Sequence, residues 1–249
     1  MHAKPRTRRT AVTAVLCAAF ALGAAACGPS SDDAKPAGPF GGMTGSQIVD
    51  KAFAATRAAK SVTVDVDEQG PVDPLKAYLS LDTQGRCTGT LTMGVDRTVE
   101  LIRPGGKSVY MRFDEAFLRE QVEEDGPETQ DAMVKDLKGR WVKGPVSDPD
   151  NQGMLELCDL KTLLGGFEQG ASGIVKGAET TVGGQKALAL TEPGDGGESS
   201  TVYVATQGTP YVLRIVTKGG DEPGTITFSK YGKPVEAKVP AAKDVVTTG

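Results

Sequence analysis

The sequence predicts an α+β fold, an antiparallel β-meander with helices gathered on one face. Three observations carry this reading. Apolar and polar residues alternate with period two through two long stretches of the chain. Apolar residues at helical spacing precede the first stretch and separate it from the second. Short glycine-rich turns join consecutive strands.

Taken in order, the first element is a helix. Ser46 is placed to cap it, and Ile48, Val49, Ala52, Phe53 and Ala59 recur at helical spacing. Strands follow. Val62, Val64 and Val66 alternate with Ser61, Thr63 and Asp65, and Leu75, Ala77, Leu79 and Leu81 alternate with Lys76, Tyr78, Ser80 and Asp82. Leu91 and Met93 sit among threonines, Val99 and Leu101 face away from Thr98 and Glu100, and Val109, Met111 and Phe113 alternate with Tyr110 and Arg112. Arg103-Pro104-Gly105-Gly106-Lys107 reads as the hairpin between the last two. From about residue 114 to 167 the period becomes helical. Asp114 can cap a helix bearing Ala116, Phe117 and Val122; Ala132, Val134 and Leu137 mark a second; Met154, Leu157, Leu160, Leu163, Leu164 and Phe167 mark a third. Strands then resume at Leu188-Leu190, Val202-Val204, Tyr211-Leu213-Ile215, Ile226-Phe228 and Val235-Ala237-Val239.

The N-terminus is of another kind. Lys4, Arg6, Arg8 and Arg9 precede an apolar run from Ala11 to Ala26, which closes on small residues directly before Cys27. A basic head, a short apolar stretch and a small-residue end mark an export signal, and the stretch is too short for a spanning helix. Cysteine at the cleavage point resembles the bacterial lipobox, whose thiol receives a diacylglycerol. Ala24 stands three places before Cys27, where leucine is usual, with Leu22 two places further back. Arg8-Arg9 is compatible with either twin-arginine or general export. The expected organisation is a signal peptide over 1–26, an acylated Cys27 and a Gly/Pro/Ser/Asp-rich tether over 27–45, and one domain over 46–249. Two acyl chains anchor stably where one does not, so the domain is expected at the extracytoplasmic face of the cell membrane.

Cleavage takes four of the 28 basic residues and none of the 32 acidic ones, leaving a formal charge of −8; it also removes His2, the single histidine. An acidic chain disfavours nucleic acid, whose binding rests on Lys and Arg neutralising phosphates. Of the four cysteines, Cys17 leaves with the signal and Cys27 is the acylation point. Cys87 and Cys158 remain in an oxidising compartment, where a disulfide between them would close a loop of roughly 70 residues. The alternative is two free buried thiols.

Without histidine, the mature chain can form no Ser-His-Asp triad, Cys-His pair or histidine metal site. Ser-x-x-Lys does not occur. Gly106-Lys107-Ser108 matches the tail of a phosphate-binding loop, but Leu101 stands where its first glycine belongs, and it reads as a hairpin. Asp148-Pro149-Asp150 begins like a calcium loop, yet Gln152 and Asp159 are poor ligands at their places, and a helix-capping turn fits better. Glu123-Glu124-Asp125 reads as a solvated run rather than a carboxylate pair for glycoside hydrolysis. No enzyme activity and no cofactor are expected. Alternation places Val64, Leu79, Leu91, Leu101, Met111, Phe113, Leu213, Ile215 and Phe228 on one side of the sheet. Taken alone, such a face belongs to a closed core.

Gly85-Arg86-Cys87-Thr88-Gly89-Thr90-Leu91-Thr92-Met93, Val99-Glu100-Leu101-Ile102-Arg103 leading to Val109-Tyr110-Met111, Trp141-Val142-Lys143-Gly144-Pro145 and Phe228-Ser229-Lys230-Tyr231-Gly232-Lys233-Pro234-Val235 continue the pattern of lipobox, tether, helix and meander. Together they resemble the actinobacterial LppX/LprG-type lipoproteins, of the wider LolA/LolB fold group, over roughly residues 46–245. The cysteine pair is not a general mark of that family, which suggests a distant branch. The resemblance implies a curved half-barrel sheet, helices over its concave face, and an apolar cavity there for acyl chains, with the nine residues above as its lining. It transfers no catalytic residue. The expected function is that of a non-enzymatic, monomeric lipoprotein, membrane-anchored outside the cytoplasm, that binds or carries a lipid, a lipidated molecule or another hydrophobic ligand. The alternative is an envelope protein–protein interaction module with a closed core and no ligand.

Overall fold

The computed structural model describes residues 38–70, 74–165, 173–221 and 223–247. The segment expected as a signal peptide, Cys27, most of the expected tether and Phe167 of the third expected helix lie outside them. Helix α1 spans Gly45–Arg57. Its cap is Thr44 rather than Ser46: the Thr44 hydroxyl accepts from the Gln47 N–H while the Gln47 side chain accepts from the Thr44 N–H, so two orphan donors are satisfied reciprocally. Ile48, Val49, Ala52 and Phe53 form its buried face. Phe40, assigned from sequence to the tether, is also buried in the main core. Packing thus begins before residue 46.

Five strands follow: β1 Ser61–Glu68, β2 Leu75–Asp82, β3 Arg86–Met93, β4 Arg97–Pro104 and β5 Ser108–Phe113. The 103–107 hairpin forms as expected, with Gly105 and Gly106 at positive φ. Helix α2, Glu115–Glu120, is capped by Asp114, and α3, Pro127–Leu137, starts on a proline at its first turn. A strand then interrupts the helical block: β6, Trp141–Pro145, pairs antiparallel with β5. The single helix expected around residues 154–167 is two short ones, α4 Gln152–Glu156 and α5 Leu160–Gly165. Asp159 separates them because its side chain accepts from the N–H groups of Lys161 and Thr162, starting a new helix.

The second meander comprises β7 Val175–Val182, β8 Gln185–Pro193, β9 Ser199–Ala205, β10 Val212–Lys218 and β11 Gly224–Ser229. Val235-Ala237-Val239, expected as a strand, is irregular. Pro234 and Pro240 flank it and lack the N–H a ladder needs. The final strand is β12, Val245–Thr247, parallel to β6.

The twelve strands among the described residues form one open sheet in the order β12-β6-β5-β4-β3-β2-β1-β11-β10-β9-β8-β7. β1 is the seam between two antiparallel meanders, and among the described strands the β12–β6 contact alone is parallel. Side chains of one parity from both meanders meet α1, α4 and α5 in a continuous core. The expected fold class, a curved antiparallel sheet with helices on one face, holds. Helix α3 buries no residue. No described helix is long and apolar enough to cross a membrane.

Candidate functional site: a sheet face with two openings

Strand register arranges the helix-facing side chains in rungs. The first is Leu75, Met93 and Arg97; the second is Val66, Ala77, Leu91, Val99 and Phe113. Val64, Leu79, Gly89, Leu101 and Met111 form the third, and Val62, Leu81, Cys87 and Arg103 the fourth. β11 and β10 extend the middle rungs with Phe228 beside Val64, Ile226 beside Val66 and Ile215 beside Ile226.

Of the nine residues singled out from alternation, Val64, Leu79, Leu91, Leu101, Met111, Ile215 and Phe228 lie together in this core, each no more than 3% exposed, with Phe113 partly buried against them. Leu213 does not join them. A bulge between Val212 and Arg214 inserts one residue opposite β9, so Val212 and Ile215 both face the main core and Leu213 turns to the other side. There it packs with Val182, Ala187 and Ala205 in a smaller cluster. Tyr231 also packs there; its hydroxyl donates to the Val212 carbonyl, and its ring stacks on Tyr211 at 4.0 Å. Burial pushes its phenol pKa well above the ordinary value.

The middle rungs are covered by helix side chains, and space opens at the two ends. Beyond the first rung lies an apolar groove of about 560 Å³. Leu75, Leu91 and Met93 form its floor; Phe117 from α2, Met154 from α4 and Leu157 form its walls; Arg97 and Asp150 stand at its rim. Its volume falls within the usual range for small-molecule sites. Phe117 is fixed by stacking on Phe113, with ring centroids 4.7 Å apart. Arg97 is held by Glu120 at 2.5 Å and by the Met93 carbonyl at 3.3 Å.

Beyond the fourth rung is a cleft of about 360 Å³, lined by Arg57, Ser61, Asp82, Arg103 and residues 158–161. The Cys87–Cys158 disulfide sits beside it, with Cα atoms 5.7 Å apart, and fastens the break between α4 and α5 to β3.

Of the described groove lining, only Leu91 is among the nine residues singled out from alternation. Met93, Met154, Leu157 and Phe117 were each legible as apolar positions of a strand or helix; their convergence at one end depends on where α4 docks. Asp148 accepts from the Asp150 N–H in a 3-10 turn, the capping geometry expected of it. Glu123, Glu124 and Asp125 form an exposed 3-10 turn. Among the described residues, no three His, Cys, Asp or Glu side chains are grouped as a metal site.

No protein-family model matches the chain, and no curated protein matches its sequence. Solved structures do. The crystal structure of lipoprotein LppX from Mycobacterium tuberculosis aligns with a TM-score of 0.49 at 16% identity, covering 77% of this chain and 96% of LppX. LprF from Mycobacterium bovis aligns with a TM-score of 0.52 at 17% identity, covering 80% of this chain and 97% of LprF. At that identity the likeness to LprF speaks for architecture, and the chain has the LprF fold.

Proposed function

We propose that this chain is a membrane-anchored extracytoplasmic lipoprotein, acylated at Cys27, that binds or carries a lipid or another hydrophobic ligand and catalyses no reaction. The observation that carries the reading is the groove over Leu75, Leu91 and Met93, an apolar opening on the helix-covered face of an LprF-like sheet. The lipobox-like Leu22-to-Cys27 segment supports the anchor, and the acidic, histidine-free mature chain argues against nucleic acid and against histidine-based catalysis.

Burial of an acyl chain contributes about 0.8 kcal/mol per methylene, so roughly ten methylenes contribute about 8 kcal/mol before the cost of association. Affinity should therefore rise with chain length until the groove is full. The test is organic extraction of the gently purified protein followed by mass spectrometry, with uptake of fluorescent fatty-acyl probes by the wild type and by Met93→Trp. A co-purifying lipid at stoichiometric amount, or uptake abolished by Met93→Trp, supports the carrier reading. An empty protein that takes up no probe overturns it.

One observation favours a second reading. The middle rungs are nearly inaccessible and already packed by α1, α4 and α5. A protein that uses this packed core only as a scaffold would be an envelope interaction module without ligand. Cross-linking to a protein partner, with no extractable lipid, is its signature.

A further inference from the structure

An arginine stands at each end of the helix-facing side of β4. Alternation brings Arg97, Val99, Leu101 and Arg103 to that side, so an apolar strand face begins and ends on a guanidinium. Arg97 is engaged by Glu120. Arg103 is different. It lies in register with Cys87, and its Nε is buried with no hydrogen-bond acceptor. Its Nη2 lies 3.4 Å from the position a Cβ on Gly85 would take, so the guanidinium rests against the β2–β3 turn. Buried donors nearly always have an acceptor, and an exception in a cleft calls for a reason.

The cleft around it is cationic. Arg57 from the end of α1 and Lys161 from the first turn of α5 line it together with Arg103. Its two carboxylates, Asp82 and Asp159, are already committed elsewhere. Asp82 receives Arg86 Nε at 2.6 Å and the backbone N–H groups of Gln84 and Arg86. Asp159 receives the N–H groups at the start of α5. Arg103 and Lys161 thus face two engaged carboxylates, one of them neutralised by Arg86, within a chain of net negative charge.

We propose that this cleft binds a phosphate group, with the Arg103 guanidinium and the Lys161 ammonium as the principal donors. Guanidinium matches the geometry of phosphate oxygens and lysine supplies a compact charge. The phosphate belongs either to a lipid headgroup presented at the cleft or to free inorganic phosphate; the cleft and the acyl groove lie at opposite ends of the sheet, so the oxyanion site does not rest on the carrier reading above. The disulfide holds residues 158–161 beside the strand pair that carries Arg103, so the two donors come from elements covalently tied together.

The test is calorimetric titration of the full-length acylated protein in a non-ionic maltoside detergent at low salt. The probes are dihexanoylphosphatidic acid, dihexanoylglycerol and inorganic phosphate, against the wild type, Arg103→Gln and Lys161→Gln. Lys161 is exposed, so its variant tests the site even where Arg103→Gln fails to fold. The phosphorylated lipid should bind at the cleft and the neutral one should not, so its apparent affinity should be roughly tenfold higher, the advantage expected of charge-assisted hydrogen bonds. Lys161→Gln and Arg103→Gln should each reduce that preference severalfold while leaving dihexanoylglycerol binding unchanged. Inorganic phosphate binding as tightly as the phosphorylated lipid, with the neutral lipid unbound, supports the oxyanion site and overturns the carrier reading. Equal affinity for the two lipids, or a preference untouched by both substitutions, overturns the site and leaves the carrier reading standing.

Discussion

Reducing the Cys87–Cys158 disulfide should lower stability by an amount that can be worked from the chain alone. The two cysteines are 71 residues apart, and cross-linking a loop of that length removes unfolded-state entropy worth about 4 kcal/mol at 25 °C. For a domain of this size each kcal/mol moves the melting temperature by about 2–4 °C, so reduction should lower it by about 8–16 °C. The loss should not be uniform. Leu155 and Leu164 are the buried leucines of α4 and α5, and Cys158 between them is the covalent tie to the sheet. Hydrogen exchange should therefore quicken first over residues 152–165. The assay is thermal melting with and without a phosphine reductant, paired with exchange mass spectrometry on the same samples. Reduction is preferable to Cys87→Ala with Cys158→Ala, because both sulfurs are buried and truncation adds a cavity cost of its own. A reduced protein melting within about 2 °C of the oxidised one, with unchanged exchange over 152–165, would refute the reasoning, since a loop-closure gain of that size cannot then be present.

Other outcomes follow from single positions. At Gly89 a Cβ would fall 1.9 Å from the Tyr78 carbonyl oxygen of the paired strand, so Gly89→Ala should cost about 3 kcal/mol in chemical denaturation; a cost under about 0.5 kcal/mol would mean the strands part freely there. Cys27→Ala should abolish metabolic labelling by palmitate and release the protein or leave it as precursor, and undiminished labelling would rule out Cys27 as the acylation point. Glu115 has its pKa lowered, chiefly by hydrogen bonds from Lys138 and Arg119. Its contribution is thus present above the ordinary carboxylate pKa and lost as pH falls through the lowered one. Since α3 buries nothing and is linked to α2 by these exposed pairs, exchange protection of α3 should fall in acid or in high salt, and protection independent of both would show that the pairs do not hold it.

The face that each strand buries was legible wherever alternation ran unbroken. β1 through β5 put Val64, Leu79, Leu91, Leu101 and Met111 where period two requires, because residues of one parity share one side of a pleated sheet. Alternation fails where the ladder itself changes. In β10 the bulge before Arg214 shifts the parity by one, and nothing in Tyr-Val-Leu-Arg-Ile announces it, since Val212, Leu213 and Ile215 are all apolar. β7 was invisible for a different reason. All but its last residue are exposed, so it carries no buried parity to detect. β6 and β12 are five and three residues long, too short for a period to register, and β12 pairs across more than 100 residues of sequence.

The ends of the sheet were the least legible part, and they hold the candidate sites. A core rung can be inferred from one strand at a time, because each of its members is apolar for the same reason. An opening is defined by what does not cover it. The groove exists because α4 stops at Glu156 and leaves Met154 and Leu157 as a wall over Met93; the cleft exists because α5 begins at Leu160, past the disulfide. The same break between two short helices therefore sets both openings. That break rests on Asp159, whose carboxylate accepts two backbone N–H groups and starts α5. Asp159→Ala removes this cap, which typically costs about 1 kcal/mol, and should loosen the cleft through Lys161 while leaving the groove floor on β2 and β3 in place. Probe uptake at the groove that survives Asp159→Ala, alongside faster hydrogen exchange over residues 160–165, is the result this division of labour requires; loss of uptake with it would show that the two ends are not separable.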